Sequence, residues 1–385
     1  MRIGKNPIDS KTGFTGTPPS QNGEGPGESR FQPVVCDKCQ TSLALSGDRL
    51  ACPKCKEEKG RMCAGIPSFE AGEIYFEDPP PSQMKRLLEI ALRDGWEKAL
   101  ASEFAQKEPR LYEFAMDTSR ANFLHLVEIT QEAAVLEVGC GLGLVTEELS
   151  RRCAKVVALD STAERAAFTA LRCRQQGRSN LWPVVGGFLR TPLRRNSFDL
   201  IVMNGRLKWF GFENRAEPPS KIQAQALRKA WELLRPGGCL YLGTENRIGY
   251  HAFRGRADSL GLPYTSLLPR GVADWYLGRR QGHRLPGNFG YRTYTYTLPG
   301  YRRLLRGAGF ERIEAYAALP GYNQPRTFVS LEAPEPAAYY VSRFPGRSGA
   351  WRMVIALGRI FSPVSVLKAF GDDFALIARR PKEGV

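Results

Sequence analysis

The chain has 385 residues, of which 42% are hydrophobic and 24% charged, and its formal net charge is +16. This length accommodates one large domain and a smaller one, since domains usually contain about 100–200 residues. The sequence has no apolar run of about eighteen residues and no apolar signal core near its N-terminus. These absences argue against a transmembrane helix and a secretory signal, and they predict a cytoplasmic location.

The positive charge is concentrated between residues 247 and 306, where eleven arginines are opposed only by Asp258 and Asp274. Such a segment attracts anionic partners, namely phosphorylated small molecules, an acidic membrane surface or nucleic acid. The planar fork of arginine suits phosphate and carboxylate groups. A solvated surface in an arginine-biased sequence remains the alternative.

In chain order, residues 1–30 are rich in Gly, Pro, Ser and Thr, which predicts a disordered tail. Residues 31–80 contain two cysteine pairs separated by twelve residues: Cys36, Cys39, Cys52 and Cys55. This spacing is typical of two knuckles that enclose zinc in a tetrahedron of thiolates. Because four thiolates leave no open coordination position, we expect a structural zinc. We also expect loss of the zinc to loosen only this N-terminal module, because the α/β core is independent of it. A disulfide or redox pair is the alternative.

Residues 81–130 predict a helical lead-in, with apolar residues at helical spacing over 83–106 and a second helix near 119–129. From residue 131 to 385, short apolar runs alternate with helices, which predicts a doubly wound α/β domain with a mostly parallel sheet. An Arg/Tyr-rich insertion over 247–298 and a helical insert over 334–370 interrupt this pattern. The last two strands, FERIEAYAAL and DDFALIARR, are expected to form an antiparallel hairpin at the C-terminal edge of the sheet.

The run VLEVGCGLG at 135–143 predicts a buried strand followed by a glycine-rich turn. Glu137 precedes three glycines, and a second strand, KVVALD, ends in Asp160 nineteen residues after Gly141. Glycine permits a tight turn and a close approach of the backbone to a ligand, and the aspartate is placed to accept hydrogen bonds from ribose hydroxyls. Glu137 and the glycine spacing argue against a dehydrogenase, because a carboxylate repels a pyrophosphate and attracts an ammonium group. A turn without a ligand is the alternative.

Segment 133–245 resembles the class I S-adenosylmethionine-dependent methyltransferases through VLEVGCGLG, VVALD, FDLIVMNG and LLRPGGCLYLGTEN. The resemblance implies a Rossmann-like fold, S-adenosylmethionine as cofactor and methyl transfer as activity. It implies cofactor contacts from Glu137, Gly139, Cys140, Gly141, Gly143, Asp160, Gly187, Phe188 and Asn204. Many members carry a Gly-Asp pair after the third strand, where this chain has Gly186–Gly187. Backbone around Gly187 and Phe188 is therefore expected to hold the adenine.

Further segments, among them ENRIGYHAFRG and LPGYNQPR, look like a bacterial subgroup associated with polysaccharide and glycolipid biosynthesis. This resemblance implies a saccharide or glycolipid hydroxyl as acceptor, on an anionic small molecule or a lipid-linked saccharide. The region around the cysteine pairs likewise resembles zinc-binding segments that precede some bacterial methyltransferase domains.

Candidate acceptor-site residues follow the fifth strand. His251 is the predicted base, and Glu245 is predicted to orient the substrate or to pair with Arg247. Arg292, Tyr294 and Tyr296 are predicted to contact the substrate through stacking and anion binding. A plain loop histidine and a half-buried strand are the corresponding alternatives.

Two other functions and a membrane contact remain open at this point. The chain is alternatively an RNA methyltransferase that grips RNA with its ribbon and arginine-rich segment, or a non-catalytic cofactor-binding partner of another enzyme. The insert 334–370 carries Trp351, Ile355, Ile360 and Phe361 beside arginines, which predicts a peripheral contact at the inner membrane surface. Packing of these residues on the sheet is the alternative.

Overall fold

The computed structural model describes residues 32–69, 79–214, 216–258, 261–280, 290–343, 356 and 360–382. The predicted tail over 1–30 lies outside these residues, as do Trp351 and Ile355. The chain divides into two compact units, the first formed by Met1–Val202 and Glu232–Gly238 and the second by Met203–Trp231 and Cys239–Val385. Among the described helices, none combines the length and the apolar character needed to cross a membrane.

The first unit contains a sheet with helices packed against it. Its strands are β1 (Ala44–Ser46), β2 (Arg49–Ala51), β3 (Glu58–Cys63), β4 (Ile66–Ser68), β5 (Ala134–Val138), β6 (Lys155–Asp160), β7 (Leu181–Val185) and β8 (Phe198–Asn204), the last two residues of β8 belonging to the second unit. Its helices are α1 (Pro81–Asp94), α2 (Trp96–Leu100), α3 (Pro109–Met116), α4 (Leu144–Ser150) and α5 (Ala163–Gln175), with a π turn over Ala101–Ala105 and a 3₁₀ helix over Thr118–His125.

The strands of the first unit follow the order β1-β2-β3-β4-β7-β6-β5-β8. Strands β1 to β4 pair antiparallel, β4 joins β7 in parallel, and β7, β6, β5 and β8 are parallel to one another. All five residues of β5 are buried, as expected of parallel strands that are covered on both faces. The predicted Rossmann-like α/β fold with a mostly parallel sheet is confirmed.

The lead-in is not the continuous helix predicted over 83–106. Gly95 adopts a φ of 98°, which ends α1, and α2 starts at the next residue. The side chain of Gln175, at the end of α5, bridges the ends of α1 and α2: it donates to the Ala91 carbonyl and accepts from the Trp96 N–H, both at 2.8 Å. The lead-in helices are thereby attached to a helix of the methyltransferase-like segment.

The ribbon is part of the first unit and continues its sheet, so the expectation of an independent module is wrong. The Phe69 N–H donates to the Val185 carbonyl at 2.8 Å, directly after β4 meets β7. The Phe69 side chain is 3% exposed, and a Cβ added to Gly186 would lie 3.3 Å from it. From the other side, Arg194 donates to the Gln32 carbonyl at 3.0 Å. The ribbon therefore packs against the segment that follows β7.

The second unit contains an antiparallel sheet. Its strands are β9 (Leu234–Glu245, from Cys239 onward), β10 (Ile313–Leu319), β11 (Thr327–Ser330) and β12 (Asp373–Arg379), in the order β9-β12-β10-β11. Its helices are α6 (Pro219–Leu233, up to Trp231), α7 (Tyr250–Phe253), α8 (Arg270–Arg280), α9 (Leu298–Gly307), α10 (Pro334–Arg343) and α11 (Pro363–Phe370), with a 3₁₀ helix over Leu207–Phe212.

The sequence placed β10 and β12 as a hairpin at the sheet edge, and this expectation needs a correction. The two strands pair antiparallel, but β12 lies between β9 and β10, and β11 occupies the edge. Strand β11 was missed because its four residues are too few to show a clear alternation. Helices α10 and α11 lie at the two ends of the insert 334–370, and Ile360 and Phe361 are 72% and 64% exposed.

Candidate cofactor and acceptor sites

Glu137 is a buried acid near the carboxyl end of β5. Its side chain accepts a hydrogen bond from the Thr146 hydroxyl on α4, and the residue is only 5% exposed. Burial raises the pKa of Glu137 to about 8, although the Thr146 hydrogen bond and the charge of Arg120 act in the opposite direction. A carboxyl held in this way favours a cation beside it, because a cation stabilises its ionised form.

The turn after β5 depends on its glycines. Gly139, Gly141 and Gly143 have φ values of 86°, 55° and 79°, a region that side chains with a Cβ rarely adopt. A Cβ at Gly143 would also approach within 3.0 Å of Thr169 on α5. Cys140 between them is 5% exposed, and burial raises the pKa of its thiol well above the usual value. The turn therefore presents backbone and a neutral thiol.

Asp160 at the end of β6 holds this turn. Its Oδ2 accepts the Gly141 N–H at 3.0 Å, and its Oδ1 accepts the N–H and the hydroxyl of Thr162, each at 3.0 Å. A carboxylate has about four acceptor positions, so about one remains for a ribose hydroxyl. The sequence predicted that Asp160 accepts hydrogen bonds from both ribose hydroxyls, whereas the observed contacts leave an acceptor position for about one of them.

The segment after β7 runs beside Asp160. The Gly186 N–H donates to the Asp160 carbonyl at 2.8 Å, and a Cβ at Gly186 would lie 2.3 Å from the Thr191 hydroxyl. The Gly187 carbonyl accepts the Thr191 N–H at 2.9 Å and the Thr191 hydroxyl at 2.8 Å, and Phe188 is 2% exposed. Gly187 and Phe188 thus belong to the same unit as Glu137 and Asp160, with the Gly187 carbonyl already occupied.

Asn204, the remaining predicted cofactor residue, ends β8 in the second unit. Its Oδ1 and Nδ2 are buried and have no hydrogen-bond partner among the described residues. Gly243 in β9 leaves space for it, since a Cβ there would lie 2.2 Å from Oδ1. An amide with both ends unsatisfied is suited to binding a polar ligand group.

The structure gives His251 a carboxylate partner that the sequence analysis missed. The His251 ring Nδ1 contacts Asp372, and the His251 N–H donates to the same carboxylate at 2.6 Å. The His251 side chain is 46% exposed and that of Asp372 is 20% exposed. A neutral imidazole that donates from Nδ1 keeps Nε2 as an acceptor, which is the state of a general base. The available signal was the acidic pair Asp372 and Asp373, at the point where the buried strand β12 begins.

Glu245 does not pair with Arg247. Its carboxylate lies 2.6 Å from the ammonium of Lys208, which is itself 6% exposed. Asp373 on the neighbouring strand β12 is buried, and burial followed by the charge of Glu245 raises the pKa of Asp373 to about 8. Glu245 is therefore held as an ion-paired carboxylate at the end of β9.

The predicted substrate residues Arg292, Tyr294 and Tyr296 lie on an extended segment, and Arg292 is occupied. Its guanidinium donates to the carbonyls of Gly211 at 2.5 Å, Asn214 at 3.0 Å and Glu217 at 2.6 Å. The role given to Arg292 is corrected accordingly, because these contacts bind it to the chain's own backbone. The Tyr296 hydroxyl donates to Gln223 at 2.7 Å, and Tyr294 stacks on Tyr291 with ring centroids 5.7 Å apart.

The four predicted zinc ligands form a cluster. The sulfurs of Cys36, Cys39, Cys52 and Cys55 all lie within 4.8 Å of one another, with those of Cys36 and Cys55 3.7 Å apart. Tetrahedral zinc–thiolate geometry places sulfurs about 3.8 Å apart, from Zn–S bonds of about 2.3 Å. Gln40 and Lys56, each following the second cysteine of its pair, have φ values of 52° and 62°. The two knuckles therefore share one backbone geometry, and they fit a metal ion.

Together these features define a Rossmann-like α/β unit with a buried acid, a glycine turn and an aspartate at the carboxyl ends of adjacent parallel strands. Residues 136–242 match the family model described as a methyltransferase domain. This segment of the chain is therefore similar to methyltransferase domains.

Curated proteins with methyltransferase names are similar to part of the chain. The ubiquinone biosynthesis O-methyltransferase of Nitrosococcus oceani is 29% identical over 144 residues, which cover 37% of this chain and 55% of that protein. The enzyme of the same name from Xanthomonas axonopodis pv. citri is 33% identical over 115 residues, covering 30% and 44%. The chain spans about half the length of these relatives. Among solved structures, phosphoethanolamine N-methyltransferase 2 of Haemonchus contortus has a TM-score of 0.42 at 12% identity, covering 76% of this chain and 59% of that one.

Proposed function

We propose that this chain is an S-adenosylmethionine-dependent methyltransferase that methylates an oxygen atom of a small-molecule acceptor. The observation that carries the proposal is the connection of Glu137, the glycine turn and Asp160, joined by the hydrogen bond from the Gly141 N–H to Asp160. In open α/β sheets, ligands bind at the carboxyl ends of the parallel strands. The match of this segment to a methyltransferase domain supports the same cofactor.

The charges of the site suit the parts of this cofactor. Glu137 is assigned to the ammonium of the methionine part, because a buried acid gains most from a neighbouring cation. Asp160 is assigned to a ribose hydroxyl through its remaining acceptor position. The backbone of Gly187 and Phe188 is assigned to the adenine, and the unsatisfied amide of Asn204 to a polar group of a ligand.

The acceptor assignment differs from the one expected from the sequence. The names of the relatives favour an oxygen atom of a small molecule over a saccharide or lipid-linked hydroxyl. A hydroxyl acceptor requires a base. We assign this base to His251 and its orientation to Asp372: the imidazole Nε2 would take the proton of the acceptor hydroxyl. S-adenosylmethionine, when bound, would supply the methyl group to that oxygen.

The cysteine cluster is assigned to one structural zinc ion. Four thiolates at tetrahedral spacing fill its coordination sphere, so the metal stabilises the ribbon and takes no part in the transfer.

Transfer of a labelled methyl group tests this proposal. The full-length protein is incubated with methyl-labelled S-adenosylmethionine and separate small-molecule, saccharide, lipid and RNA fractions. We expect label in the small-molecule fraction, reduced in the Asp160→Ala variant. Label in RNA or saccharide alone would contradict the acceptor class, and cofactor binding without any transfer would favour a non-catalytic partner.

A further inference from the structure

Two arginines of the insertion 247–298 lie beside the tyrosine segment 291–296. The Arg247 backbone N–H donates to the Tyr296 carbonyl at 3.1 Å, and the Arg270 guanidinium lies against the rings. The guanidinium carbon of Arg270, the first residue of α8, lies 4.0 Å from the ring centroid of Tyr294. It also lies 5.5 Å from the centroid of Tyr291 and 5.8 Å from that of Tyr296. A guanidinium on aromatic faces is fixed in position while its edge stays available for hydrogen bonds.

The hydrogen bonds within the described residues do not use every N–H donor of the Arg270 guanidinium. Arg270 donates from Nη2 to the Thr295 carbonyl at 2.5 Å, whereas its Nη1 is buried and has no partner in the described part of the chain. Arg247 donates to the carbonyls of Ser266 at 2.9 Å and Leu268 at 3.1 Å. These contacts use carbonyls only, so neither guanidinium charge is neutralised by them.

The acidic groups that face the same tyrosines are engaged elsewhere. Glu245 pairs with Lys208, Asp258 accepts the Thr265 hydroxyl at 2.5 Å, and Asp274 accepts the Tyr291 N–H. Within the described residues, no ion pair joins a carboxylate to either arginine of this pair.

Like charge at close range is unfavourable in this setting. Burial lowers the pKa of Arg247, and the charge of Arg270 lowers it further. Neither of these two partly buried cations is ion-paired within the described residues, and a bound anion relieves both their repulsion and the unsatisfied Nη1 donor of Arg270.

We propose that Arg247 and Arg270 bind an oxyanion, a phosphate or carboxylate group carried by the methyl acceptor. The assignment of this ligand to the acceptor rests on the proposed function, whereas the anion site itself does not. This pair of arginines takes the anion-binding role that was predicted for Arg292, whose guanidinium donates to backbone carbonyls. The arginines thereby select an anionic small molecule and fix one end of it against the ring of Tyr294.

Direct binding of two simple anions tests the site. Calorimetry on the full-length protein uses inorganic phosphate and benzoate, with chloride added to equal ionic strength. The variants are Arg270→Gln, Arg270→Lys and, as the matched control, Arg279→Gln, which removes the same charge from an exposed position on α8. Melting curves verify that each variant is folded, and S-adenosylhomocysteine binding is measured on the same samples.

We expect wild type and Arg279→Gln to bind at least one of the anions. Arg270→Gln should bind it about tenfold or more weakly, and Arg270→Lys should lie between them because it keeps the charge and loses the fork. Tighter binding of phosphate indicates a phosphorylated acceptor, and tighter binding of benzoate indicates an aromatic or other carboxylic acid. Equal binding by Arg270→Gln and wild type, or no binding of either anion by wild type, overturns the inference. Retained S-adenosylhomocysteine binding in that case leaves the proposed function intact, whereas loss of that binding with anion binding retained contradicts the proposed function alone.

Discussion

Cofactor binding should become tighter as the pH rises from about 6 to about 8, because Glu137 must lose its proton to receive an ammonium group. Burial raises the pKa of Glu137 to about 8 in the ligand-free chain. One pH unit below that value, ionisation of the carboxyl costs about 1.4 kcal/mol. Affinity at pH 7 should therefore be about tenfold, and at pH 6 about a hundredfold, below its plateau.

Calorimetry with S-adenosylhomocysteine at pH 6, 7 and 8, in two buffers of different ionisation enthalpy, measures both the affinity and the proton released on binding. The range stops at about pH 8 because the ligand's own amino group loses its charge near there. Glu137→Gln is the matched control, and it should bind more weakly at pH 8 with a nearly flat pH profile. A wild-type affinity that does not change with pH, or an equal slope in Glu137→Gln, would refute this role of Glu137.

The same raised pKa affects the stability of the ligand-free chain. Between the unfolded pKa of 4.5 and the folded pKa of about 8, the folded state holds the Glu137 proton and the unfolded state does not. The contribution of Glu137 to the free energy of unfolding is therefore fully present below pH 4.5 and is lost as the pH rises toward 8.

Three further predictions concern the ribbon, the acceptor site and Arg292. Elemental analysis should find one zinc per chain. Phe69→Ala should lower the free energy of unfolding by about 3–5 kcal/mol and weaken S-adenosylhomocysteine binding, because Phe69 packs beside Gly186. Full affinity in that variant would show that the ribbon does not support the cofactor segment. With the acceptor identified, His251→Ala should lose about 10²–10⁴-fold in kcat and regain part of it with added imidazole, while Asp372→Asn should lose less; an unchanged kcat would exclude His251 as base. Arg292→Gln should destabilise the chain by about 1.5–3 kcal/mol in denaturant unfolding, because its contacts with three carbonyls are lost. Arg302→Gln, which removes a partly exposed ion pair with Glu332, should cost about 1 kcal/mol or less, and equal effects of the two variants would contradict this.

Local sequence spacing was sufficient to predict that Glu137, the glycine turn and Asp160 lie together in the fold. Glu137, the glycines and Asp160 lie within one strand–turn–helix–strand unit, so their spacing along the chain largely determines their spacing in the fold. The cysteine pairs were predictable for the same reason, because each knuckle is a local turn.

The proposed acceptor site combines residues that are distant in sequence, and local patterns do not show which of them meet. His251 and Asp372 are 121 residues apart in sequence. The backbone N–H of Asn246, just after β9, donates to the Asp372 carbonyl, and this hydrogen bond brings the segment before β12 close to His251. Arg292 and Arg270 belong to the same arginine-rich segment, and composition alone does not distinguish the one that holds backbone carbonyls from the one with a free donor.

The most direct test of the account is the affinity of S-adenosylhomocysteine for wild type and for Asp160→Ala, measured by calorimetry at pH 8. We expect S-adenosylhomocysteine to bind wild type, and to bind Asp160→Ala about 10–100-fold more weakly. The variant loses both a charge-assisted hydrogen bond to the ribose and the hydrogen bond that Asp160 accepts from the Gly141 N–H. Asp94→Ala, which removes an exposed carboxylate at the end of α1, should bind as wild type does. No binding to wild type, or equal affinity in a folded Asp160→Ala, would contradict the account.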